Sequence, residues 1–113
     1  MKIDTNYHPN FKAGRMTYAA ELACRQRMKS SQKVQALKEK FINKYKDSEF
    51  DVELETTAVE SIRLCATVRK AGKFKRYIEE TVFSSIFKKP DKFVEKVNNI
   101  IENQIKPIAD KSW

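Results

Sequence analysis

Two cysteines, one histidine and a row of three carboxylates are the residues of this chain best suited to bond-making or metal chemistry. Cys24 falls in a helix-like stretch, Cys65 in a strand-like one, and His8 in a Pro-containing N-terminal segment. Two thiols and a distant imidazole do not make a four-ligand zinc site. A small secreted disulfide scaffold would use more cysteines, so both are expected to be reduced thiols in a cytoplasmic protein. Asp51, Glu53 and Glu55 share one face of a strand, a spacing that can hold Mg²⁺ or Ca²⁺. No Asp/Asn/Gly loop accompanies them, so the expectation is no metal, no cofactor, and contact with a basic strip on another chain. No Gly-x-Ser-x-Gly turn and no glycine-rich phosphate loop occurs, and the chain is expected to bind rather than catalyse.

The richer signal is cationic. The chain has 113 residues and a net charge of +8, spread unevenly. Residues 1–46 carry a net +8, residues 47–62 a net −6, residues 63–89 a net +6, and the remainder balances. On a helix through residues 16–47, Arg25, Lys29, Lys33, Lys40 and Lys44 fall on one arc beside the apolar face. Lysines one turn apart can meet successive phosphates of a nucleic acid. A solvated helix face usually alternates its charges, whereas this stripe has no interleaved glutamates. A second basic group, Arg69, Lys70, Lys73, Lys75 and Arg76, surrounds Phe74 at a predicted hairpin, where an aromatic tip can stack on a base.

These side chains need elements to position them. Residues 1–15 read as an extended arm, interrupted by Pro9 and Gly14 and carrying Tyr7 and Phe11. Residues 16–113 read as a single domain of the α+β class. Its first element is the long helix, with Met16, Ala19, Ala20, Ala23, Val34, Leu37, Phe41 and Tyr45 on its apolar face. Ser30 and Ser31 can cap a second helix, but the apolar phase runs through them unbroken. Residues 50–57, 61–69 and 74–83 alternate as strands of a three-stranded antiparallel meander, with a turn at 70–73. A two-residue loop would place Tyr77 opposite Ala66; a three-residue loop, preferred because it keeps one face apolar, places Ile78 there and Val82 opposite Ile62, and leaves Glu80 and Arg76 to be covered at the edge. Residues 84–89 link the sheet to a last helix begun by Pro90 and Asp91, with Phe93, Val94, Val97, Ile100, Ile101, Ile105 and Ile108 as its stripe. The expected order is arm–α–β–β–β–α, with both helices on one face of the sheet.

A continuous 32-residue helix would be about 48 Å long. A compact domain of this size is only about 34 Å across. The helix would overhang its sheet, and the alanine-rich part around Met16, Ala20 and Ala23 would need another chain to cover it. Two functions follow. One is non-catalytic association with nucleic acid or another polyanion through the helix stripe and the basic hairpin. The other is a structural subunit, such as a virion component or phage-encoded inhibitor. It would use Tyr7, Phe11, the long helix and Trp113 as contacts in a homo-oligomer or larger assembly. No apolar run reaches the roughly 20 residues of a membrane span, and no membrane partner is expected.

Overall fold

The computed structural model describes residues 14–70 and 74–108, apart from the side chain of Phe74. Its elements are β1 (Gly14–Met16), α1 (Tyr18–Met28), α2 (Ser31–Tyr45), β2 (Asp51–Thr56), β3 (Leu64–Lys70), β4 (Phe74–Glu79), α3 (Val82–Phe87) and α4 (Pro90–Ile100). A wider, π-helical turn, Ile101–Ile105, continues α4. The fold is mixed α+β, and α1, α2 and α4 share a core with one face of the sheet. No helix among the described residues is long and apolar enough to cross a membrane.

The single long helix is corrected to a helical hairpin. Lys29 adopts the left-handed conformation (φ 56°, ψ 34°), and its N–H closes α1 on the carbonyl of Arg25. Ser30 is extended, and its hydroxyl accepts from the Lys33 N–H to start α2. Lys38 then reaches back across the hairpin to Glu21 at 3.0 Å. The apolar phase survives the break because both helices turn the same side to the sheet. Met16, Ala20 and Ala23 are therefore buried in the chain's own core, not on an overhang awaiting a second chain.

Among the described residues the sheet has four strands in the order β1-β2-β3-β4, where three were expected. The end of the supposed arm, Gly14 and Arg15, and Met16, expected to open the long helix, instead form β1 and pair in parallel with β2, Gly14 opposite Val52 and Met16 opposite Leu54. Glycine is required there because β1 passes beneath α2. A Cβ on Gly14 would lie 2.9 Å from the Phe41 carbonyl oxygen. The remainder of the arm lies outside the described residues, as do Tyr7, Phe11 and Trp113.

The antiparallel register is Val52 opposite Val68, Leu54 opposite Ala66, and Ala66 opposite Ile78. The expected pairing of Val82 with Ile62 is not formed. The chain leaves the sheet after Glu79, and Thr81 caps α3 through the Ser84 N–H, so a helix stands where a strand and linker were expected. In the last helix Pro90 occupies the first turn, and Phe93, Val94, Val97, Ile101 and Ile105 are buried. Ile108 is exposed instead of continuing the stripe. Within the wide turn the Lys106 N–H bonds to the Ile101 carbonyl, and Pro107, the next residue, has no N–H to donate.

Candidate polyanion surface

The fold redistributes the cations. Lys33, Lys40 and Lys44 stay exposed on α2, where they face the first half of α4. The Tyr45 hydroxyl donates to the Asn98 side chain and holds the two helices together, and burial pushes the Tyr45 phenol well above its ordinary range. Beside that contact runs a shallow groove of about 360 Å³, lined by Met28, Lys33, Ala36, Leu37, Lys40, Lys89 and Asp91. A narrower extension reaches Lys44, Glu95 and Asn98. Lys89, from the α3–α4 junction, was not singled out in the sequence and joins the α2 lysines here. None of Lys33, Lys40, Lys44 and Lys89 has a carboxylate within 4.0 Å among the described residues. Asp91 and Glu95 are the acidic groups on the opposite wall.

The rest of the predicted stripe does not join this set. Arg25 pairs with Glu21 at 2.8 Å, one turn back on α1. Lys29 is exposed at the hairpin turn, beyond the end of α1. Glu21, held between Arg25 and Lys38, has its carboxyl pulled below the usual range, first by the Lys38 hydrogen bond.

The basic hairpin is split by the pleat. Arg69 and Lys75 lie opposite each other on the face of the sheet away from α1, α2 and α4. Lys70 and Arg76 point the other way. Lys70 pairs with Glu49 at 3.0 Å and lies over the Phe50 ring, and Arg76 reaches Gln104 of the wide turn at 3.4 Å. Lys73 and the Phe74 side chain lie outside the described residues, so the stacking tip is not placed. On the same face Arg15 sits 3.5 Å from Asp51 and 3.6 Å from Glu53, so these carboxylates meet an arginine of their own chain. Burial raises the Asp51 carboxyl above its ordinary range.

Neither thiol is poised for chemistry. Cys24 is fully buried, which pushes its thiol up to about 11. Cys65 is also raised by burial, and Tyr77 beside it is raised by their hydrogen bond.

The strongest polar assembly escaped the sequence reading. Arg27 leaves the end of α1 and grips Glu80 with both terminal nitrogens, at 2.6 and 2.9 Å. It also donates to the carbonyls of Ile62, Ser84 and Lys88. Glu80 was legible as a residue needing cover. Its partner, 53 positions earlier, was not.

Comparison with protein-family models, curated proteins and solved structures returns no match.

Proposed function

We propose that the protein binds a polyanion, with nucleic acid as its target, through the lysine groove between α2 and α4. One observation carries this reading. Lys33, Lys40 and Lys89, from two distant parts of the chain, border one groove without a carboxylate within 4.0 Å among the described residues. Cations left unpaired at close quarters favour an anionic occupant. Arg69 and Lys75 add two cations on the sheet face away from the helices, among the carboxylates Asp51, Glu53 and Glu79. The proposed action is binding without catalysis. The alternative of a structural subunit loses its overhanging helix, since that stretch is covered from within.

Titration of short DNA and RNA duplexes and single strands at two salt concentrations tests the reading. Three or four phosphate contacts give a slope of log affinity against log salt of about −3 on duplex DNA. Lys33→Glu with Lys40→Glu should abolish binding, leave the melting temperature nearly unchanged, and flatten any residual slope by about one unit per lost contact. Salt-insensitive binding, or binding indifferent to the double charge reversal, overturns it.

A further inference from the structure

Helix α3 is built inside out. Its inward side is Ser85, which is 4% exposed, while Val82, Phe83, Ile86 and Phe87 are 48%, 62%, 62% and 71% exposed. A surface helix ordinarily does the reverse. The Phe83 and Phe87 rings lie 4.9 Å apart, so the apolar surface is continuous. Its area is on the order of 400 Å², the size at which a patch on a single chain is commonly functional.

The exposure is not fraying. Arg27 donates to the carbonyls of Ser84 at 3.2 Å and Lys88 at 2.7 Å, while its pair with Glu80 anchors the segment just before the helix. Thr81 caps the N-terminal end. A buried ion pair thus holds the polar side of α3 down and the apolar side out. A surface fixed in advance loses little entropy when a partner arrives.

Between the polar side of α3, at Ser84, and α4 runs a groove of about 490 Å³, with Phe93 and Ile100 among its lining and Lys88, Lys92 and Lys96 along it beside Glu80 and Glu95. Lys92 and Lys96 are one turn apart on α4. Lys88 and Lys96 have no carboxylate within 4.0 Å among the described residues, and Lys92 has only the exposed Glu95 at 3.9 Å.

We propose that α3 and this groove dock an acidic amphipathic helix of a protein partner. Its apolar residues would cover Phe83, Ile86 and Phe87. Its carboxylates, one turn apart, would meet Lys92 and Lys96, with Lys88, in extended backbone before α4, at the end of the row. Exposed apolar residues beside a groove with two cations one turn apart are the complement of such a helix. The patch falls short of the roughly 800 Å² per partner of a standard interface between whole domains, and suits a single helix better. A second copy would set the lysine row against itself across a two-fold axis. A nucleic acid would gain nothing from Val82 and Ile86, which have no ring to stack on a base.

The test is selection of a displayed library of helical peptides about five turns long against the full chain. The expected winners combine apolar residues at i, i+3 or i+4, and i+7 with Asp or Glu one turn apart. A synthesised winner should bind at least about tenfold more weakly to Phe83→Ser/Phe87→Ser, and likewise to Lys92→Glu/Lys96→Glu. Both variants change exposed residues and should keep the parental melting temperature. Lys33→Glu/Lys40→Glu should leave peptide binding intact, which separates this surface from the lysine groove. The proposal is overturned by basic or uncharged winners, by no winner at all, or by winners indifferent to the Phe83/Phe87 change. Self-association that disappears in Phe83→Ser/Phe87→Ser would overturn it in favour of a second copy. Binding of phosphatidylserine vesicles in place of peptide selection would overturn it in favour of a lipid surface.

Discussion

Arg27 and Glu80 are 6% and 1% exposed in their side chains, so each is the other's substitute for water. Glu80 also accepts from the Leu64 N–H at 3.1 Å and donates its own N–H to the Leu64 carbonyl at 2.9 Å. Removing one charge strands the other in the interior, which costs about 3–5 kcal/mol. Arg27→Met and Glu80→Leu should each lose that amount in urea denaturation. The double variant should lose clearly less than the two losses added, because an apolar pair leaves no orphan charge. A loss below about 1 kcal/mol for Arg27→Met would mean that the clamp is not formed in solution. Side-chain roles of this kind were only half legible beforehand. A glutamate among apolar strand residues advertises a missing partner, but nothing local to Arg27 distinguishes it from its cationic neighbours. The division of Lys70 and Arg76 from Arg69 and Lys75, by contrast, follows from alternation along a strand and could have been read directly.

Among the elements, strand register came through well, because an apolar face opposite an apolar face leaves few choices, and Ala66 opposite Ile78 was one of them. Three elements did not. β1 is only three residues long and contains a glycine, too little for a periodic signal. In α3 the apolar side faces out, so amphipathicity gives no guide to where the core lies. The α1–α2 break is invisible to periodicity, since Ala20 and Ala23 before it and Val34 and Leu37 after it all point into one core. The only local sign was Ser30 as a cap, with no glycine ahead of it. Lys29 holds a conformation that costs a non-glycine residue about 1–2 kcal/mol. Lys29→Gly should therefore stabilise the chain by about 0.5–1 kcal/mol, after allowing for the greater freedom of glycine when unfolded. A thermal melt should show a rise of a few degrees. An unchanged or lowered midpoint would mean that the Lys29 side chain contributes contacts of its own.

At the scale of the whole molecule, the hairpin removes the geometric conflict that a continuous helix posed. The described residues extend 38 × 37 × 25 Å with a radius of gyration of 14.4 Å, and no 48 Å rod has to be accommodated. The lysine groove lies on the helical side, and the opposite sheet face carries Arg15, Asp51, Glu53, Arg69, Lys75 and Glu79 in mixed sign. Opening free energy should vary across this frame. The amides of β3, paired on both sides, should be the slowest in the sheet to exchange with deuterium, and those of β1, held by three pairs, among the fastest. Equal protection in both strands would show that the sheet opens only as one unit. The parallel pairing of β1 also bears on how the chain is made. Gly14 waits for Val52, which is 52 − 14 = 38 positions later. At synthesis rates of roughly 5–20 residues per second that delay is a few seconds. The α1–α2 hairpin and the β2–β3–β4 meander join neighbours in sequence and can close as they leave the ribosome. Among the described residues β1 is thus the first strand translated and the one that waits longest for its partner. Its brevity and its charged Arg15 leave little for a stray strand from another nascent chain to grasp in the interval.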